Sequence, residues 1–176
     1  MSDDILDPAT DAALALAAER PWREVSLRQI AERAGVDFAG LYAKAPAKAL
    51  LVLRLSQALD RAALATAATA SDDVHDRLFD AAMARIEAME AHRAALRSMA
   101  KGELSIAVHL PLTARAILEA AGVTATAPRL AAMTLLWVRV VQVWRDDEGA
   151  LNRTMAEIDK RLKQMRARLA RVGAGF

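Results

Sequence analysis

Apolar residues recur at three- and four-residue spacing along almost the whole chain, and the breaks between these runs are short and carry helix-ending residues. Ala9, Ala12, Leu14, Leu16 and Ala17 trace the first helical face, with Asp7 as a cap, Pro8 at the first helical position and Pro21 as the stop. Leu27, Ile30 and Ala31 mark a short second helix, opened by Ser26 and closed at Gly35. Asp37 opens a third over residues 38–43, and Trp22 and Val25 are expected to hold the intervening loop on this three-helix head. Longer faces follow. Leu51, Leu55, Ala58, Leu59 and Ala62 belong to a connecting helix over about 50–68. Val74, Leu78, Phe79, Ala82, Met83, Ile86 and Met89 follow the capping run Ser71, Asp72, Asp73. Further helices are predicted at 92–100, broken by Gly102, at 111–121, opened by Pro111 and ended by Gly122, at 127–144, and from 149 to about 172. Eight or nine helices result, and Asp146, Asp147 and Glu148 read as the cap of the last one rather than as a metal site.

Composition agrees with an all-α fold. Hydrophobic residues make up 55% of the 176 and only seven are aromatic, a bias toward small side chains that favours close-packed helices over a sheet. With no cysteine, disulfides, thiol nucleophiles and cysteine metal sites are excluded, and a cytoplasmic location is expected. The acidic start, residues 1–7, lacks the basic region of a signal peptide, and the longest apolar stretch, 130–138, is too short to cross a bilayer, so no integral membrane segment is expected. His75, His92 and His109 lie on separate segments, and no Gly-rich phosphate loop or nucleophile elbow occurs. Neither catalysis nor a metal or cofactor is expected.

The densest signal is the stretch 26–48. Two short helices joined by a Gly-centred turn are the geometry that places the second helix in a DNA major groove. Residues 5–51 resemble the N-terminal domain of TetR-type transcriptional repressors. The resemblance rests on Ile30-Ala31, Ala34-Gly35-Val36, Leu41-Tyr42, Pro46, Lys48 and Leu50-Leu51 in order. It implies a TetR-like fold: a helix-turn-helix head at 1–49 and a larger helical ligand-binding and dimerisation body at 50–176.

Carried over residue by residue, the resemblance makes Ser26, Tyr42 and Lys48 phosphate contacts, with Arg28 on the same head. Gln29, Phe38, Ala39 and Lys44 become the groove-facing residues, Lys44 with reach to guanine acceptors. The recognition segment departs from the family pattern at three places. Asp37 stands where Ser or Thr is usual, Lys44-Ala45 replaces His-Phe, and Ala47 replaces the Ser before the lysine. Charge departs as well: residues 1–54 hold eight acidic against seven basic side chains, although 26–48 keeps a local excess of two positive charges.

In the body, Met83, Met89, Met99, Met133 and Trp137 are the candidate lining of a pocket for an apolar small-molecule effector. The resemblance implies a homodimer through the last two helices, operator DNA as partner, and release by the effector. A second, looser resemblance competes with it. Residues 83–97 and 144–162 are similar to segments of the TetR-fold lipid-binding accessory proteins of ubiquinone biosynthesis, which do not bind DNA. On that reading the final helix, with Ile158, Leu162, Met165 and Leu169 in one stripe and Lys160, Arg161, Lys163, Arg166, Arg168 and Arg171 around it, is suited to an anionic membrane surface.

Overall fold

The structure, a computed structural model, describes residues 5–69, 71–100, 105–147 and 150–176. These residues form nine α-helices and two short 3-10 turns, with no strand among them. The helices are α1 (Leu6–Glu19), α2 (Leu27–Ala34), α3 (Phe38–Lys44), α4 (Lys48–Ala65), α5 (Val74–Glu90), α6 (Arg93–Ala100), α7 (Ser105–Ala120), α8 (Ala127–Asp146) and α9 (Asn152–Arg171). The 3-10 turns are Trp22–Glu24, between α1 and α2, and Thr66–Thr69, after α4. No described helix is long and apolar enough to cross a membrane.

The chain divides into two compact units, and they are not contiguous in sequence. The first comprises residues 1–57 and 91–109, the second 58–90 and 110–176. A split at residue 49 does not anticipate this, because α6 packs on α1 and on the Trp22–Glu24 turn inside the first unit. Met99, with 1% of its surface exposed, is therefore core of the first unit, apart from Met83, Met89, Met133 and Trp137 in the second. Sequence order concealed this, since α6 follows α5 and carries the same kind of apolar face.

In the first unit α1 packs on α2, α3 and α6. Trp22 and Val25 are buried, so the loop is held down as expected, and Ser98 Oγ on α6 ties it further by accepting the Trp22 N–H at 3.1 Å and donating to the Arg20 carbonyl at 3.1 Å. α1 begins two residues earlier than its cap sequence suggested, at Leu6, so Asp7 and Pro8 lie inside the first turn. A proline is tolerated there because the first N–H groups of a helix lack internal partners anyway. Asp7 is engaged elsewhere, accepting Arg54 Nη2–H at 2.7 Å.

In the second unit α9 packs against α8 and α5. Its stripe Ile158, Leu162, Met165 and Leu169 is at most 4% exposed. A membrane surface would have to displace α8 and α5 to reach those side chains, so the apolar half of the proposed lipid-binding face is already used inside the fold. Asp147 caps α9 from five residues upstream of its start, Oδ2 accepting both the Thr154 N–H at 2.9 Å and the Thr154 hydroxyl at 2.8 Å. That is the capping role expected of the acidic turn; Glu148 lies outside the described residues, as does Gly102. α7 differs from expectation: it begins at Ser105, so Pro111 sits within the helix instead of opening it. An internal proline removes one N–H bond and crowds the preceding turn, a local cost that the rest of α7 outweighs.

Candidate nucleic-acid interface

The α2–turn–α3 segment is set by three backbone devices. At the entry of α2, Ser26 Oγ accepts the Gln29 N–H at 3.2 Å while Gln29 Oε1 accepts the Ser26 N–H at 2.8 Å, a reciprocal capping box. At its exit Gly35 takes φ +66°, a left-handed conformation that L side chains adopt only with strain, and the Val36 N–H returns to the Ala31 carbonyl at 3.0 Å. At the entry of α3, Asp37 Oδ2 accepts the Gly40 N–H at 2.6 Å. Packing completes the arrangement: Ile30, Ala31 and Leu41 are buried, as is Ala45 at the position where the family pattern has an aromatic residue.

What remains outside is the surface offered to a ligand. Tyr42 is 53% exposed, and Arg28, Ala39 and Lys44 are exposed as well. Phe38 is half-buried. The Arg28 guanidinium lies 5.3 Å from its ring centre, and the Tyr42 ring lies 6.1 Å away at a 57° tilt. The three side chains thus form one continuous row across α2 and α3.

Two of the expected phosphate contacts have internal work as well. The Ser26 hydroxyl and the Gln29 side-chain oxygen are joined in the capping box, while Gln29 Nε2 has no partner among the described residues. Lys48, half-buried, donates Nζ–H to the Trp22 carbonyl at 2.8 Å and lies 4.5 Å from the Trp22 ring centre. It therefore anchors the loop that precedes α2. Nearby, Arg33 bridges to Glu19 at 2.5 Å, and that contact holds the Glu19 carboxyl below its usual range.

The match to known proteins falls on this segment. Residues 9–55 match the family described as "Bacterial regulatory proteins, tetR family". Residues 9–55 are thus similar to the N-terminal helix-turn-helix of that family. Two solved structures share the fold across nearly the whole chain. One is a TetR transcriptional regulator from Rhodococcus sp. RHA1, with TM-score 0.72 and 18% identity over 94% of this chain and 97% of that one. The other is a tetR-family transcriptional regulator from Streptomyces coelicolor, with TM-score 0.50 and 19% identity over 99% of this chain and 84% of that one. No curated protein matches. The TetR-like, all-α fold is thus the one the sequence pointed to.

The second unit holds a polar cluster that sequence reasoning missed. Arg85 on α5 is 5% exposed and Asp60 on α4 7% exposed, and Arg85 Nε–H donates to Asp60 Oδ1 at 2.6 Å. Arg85 Nη1 also reaches Met89 Sδ at 3.1 Å, and its guanidinium stacks 5.0 Å from the Trp137 ring centre. Burial pulls the Arg85 pKa down from its ordinary value, and the Asp60 charge opposes that shift. Met89 and Trp137, two of the expected pocket residues, are in this way brought together around a buried cation. Close by in the chain, Trp144 Nε1–H donates to Glu90 Oε1. The only sequence signal was an arginine and an aspartate each at helical spacing with apolar neighbours, which is equally the pattern of side chains whose stems lie flat on a surface.

Among the described residues no group of three or more His, Asp or Glu is placed to hold a metal ion. His75 is occupied by a hydrogen-bond contact between Nε2 and Asp159 Oδ1 at 3.0 Å.

Proposed function

We propose that this chain is a transcriptional regulator of TetR type that binds operator DNA as a dimer through α2 and α3 and is released by an apolar small molecule held in the second unit. The observation that carries the reading is the α2–turn–α3 geometry: both caps and the left-handed Gly35 are in place, and Arg28, Phe38, Tyr42 and Lys44 form the outward surface. Such a unit presents its second helix to the major groove while flanking polar groups meet phosphate.

Two features of the second unit support the remainder. A groove of about 660 Å³ runs along α8 and α9, lined by Leu135, Val138, Arg139, Gln142, Arg161 and Arg168 among others, and Leu135 is 66% exposed. An apolar side chain so exposed beside a groove suits a two-fold contact between copies of the same surface. For the effector, Met83, Met89, Met133 and Trp137 are buried in the same unit, with Met89 and Trp137 against Arg85, and an apolar molecule would enter by making space among these adaptable side chains. An effector that favours one spacing of the two recognition helices over another would release the operator.

Selection of bound sequences from random and genomic DNA by the purified protein tests the reading. A near-palindromic site with half-sites one helical turn apart is expected. Lys48→Ala should weaken binding to all sequences alike and lower the salt dependence by roughly one phosphate contact. Failure to enrich any sequence, or a monomer by sedimentation at micromolar concentration, would overturn the proposal.

A further inference from the structure

The groove-facing surface of α3 lacks nearly all the side chains that read bases by hydrogen bonding. Its seven residues are Phe38, Ala39, Gly40, Leu41, Tyr42, Ala43 and Lys44, and Leu41 is fully buried. Hydrogen-bonding side chains occur only in its last three positions, as the Tyr42 hydroxyl and the Lys44 amine. The first half of α3, the part of a recognition helix that meets base edges, offers the Phe38 ring and the Ala39 methyl. Asp37, in the cap, commits Oδ2 to the Gly40 N–H at 2.6 Å, and its remaining carboxylate oxygen is an acceptor one position ahead of Phe38. On α2, Gln29 Oε1 is taken by the Ser26 N–H, which leaves its Nε2 as the donor of that side chain.

The ring is also held in place. Phe38 is braced by the Arg28 guanidinium, 5.3 Å from its centre, and by the tilted Tyr42 ring, 6.1 Å away. A braced aromatic ring beside an exposed methyl group is a fixed apolar surface. Against it, the acceptors of guanine and the amino groups of adenine and cytosine would lose water and gain no partner from Phe38 or Ala39. The one apolar group in the major groove is the C5-methyl of thymine.

We propose that Phe38 and Ala39 read the C5-methyl groups of thymine, so that each half-site carries thymine where the first half of α3 enters the groove. This rests on the DNA-binding reading above and specifies its chemistry. The methyl group itself is the recognised feature, and the bases' hydrogen-bonding edges at those positions contribute little.

The test alters the DNA alone, so it is independent of whether any variant folds. In the selected operator, each thymine of the half-site is replaced singly by deoxyuridine, which removes only the methyl. At the positions facing Phe38 and Ala39 affinity should fall by about fourfold per methyl, the factor that corresponds to burying one such group. Replacing the same T·A pairs by C·G or by 5-methylcytosine·G supplies the second arm: the methylated pair should bind about fourfold better than the unmethylated one. Phe38→Ala, checked for folding by circular dichroism, should erase the difference at one of these positions. If an operator is selected but thymine and deoxyuridine bind alike throughout the half-site, methyl readout is wrong while DNA binding stands. If no operator is selected, DNA binding itself fails and the inference falls with it.

Discussion

Both units carry solvent-facing ion pairs, but of the two the second also has a charged pair buried in its interior. In the first, the ion pairs Arg33–Glu19 and Arg54–Asp7 are solvent-facing, and the geometry that matters comes from side chains bonding to backbone: Ser26 with Gln29, Asp37 to Gly40, and Lys48 to the Trp22 carbonyl. In the second, Arg85 and Asp60 are paired inside the apolar interior against Met89 and Trp137. The difference teaches where each unit is vulnerable. Exposed pairs in high dielectric contribute little, whereas a buried pair is costly to break because the surviving partner is left as an uncompensated charge.

The largest effect is therefore expected in the second unit. Asp60→Leu should destabilise the protein by about 3–5 kcal/mol by stranding Arg85, and thermal unfolding should fall by roughly 10 °C. Adding Arg85→Met should recover most of that loss. A single variant as stable as the parent would show that the pair is not the internal anchor described here.

In the first unit, backbone changes should dominate. Gly35→Ala forces a side chain into the left-handed region and should cost about 1–2 kcal/mol. Ser26→Ala should cost about 1 kcal/mol through loss of the α2 cap, with Ser26→Asp largely restoring stability. Chemical denaturation measures both. If the uncharged capping variant Ser26→Asn recovers stability but not affinity for DNA, the hydroxyl has a phosphate role beyond the cap.

The smallest effect is in pH dependence, and it affects both units alike. Hydrogen bonding by Arg33 lowers the Glu19 pKa, and bonding by Lys163, then His75, lowers that of Asp159. A carboxyl held below its unfolded value binds fewer protons in the native state. Its contribution is complete above the ordinary carboxylate range and is lost as pH falls through the depressed native values. Both groups face solvent, so the Glu19→Gln, Asp159→Asn double variant should flatten the acid limb of the stability curve only slightly. A large change would mean that these surface pairs matter more than their exposure implies.

Local chemistry made most of the head legible in advance. Ser26, Gly35 and Asp37 each impose a conformation on their immediate neighbours, and the distance over which such a cap acts is one helical turn, so reading along the chain captures it. The Asp147 cap was legible as an acidic turn ahead of a helix, although its bonds to Thr154 span seven residues. Pro111 was misread because a proline signals a helix start only when the residues before it have no reason to be helical, and here α7 already begins at Ser105.

Apolar periodicity, caps and turn glycines, all readable in order along the chain, determined that this protein is helical and that residues 26–48 form a helix-turn-helix. Only the tertiary structure decided that α6 and Met99 join the first unit, that the α9 stripe is spent against α8 and α5, and that Arg85 meets Asp60 across 25 residues of sequence. Periodicity states that a helix has an apolar face and is silent on what that face meets. The hydrophobic effect rewards burial without direction, so the choice of partner rests on the shape and charge of elements distant in sequence.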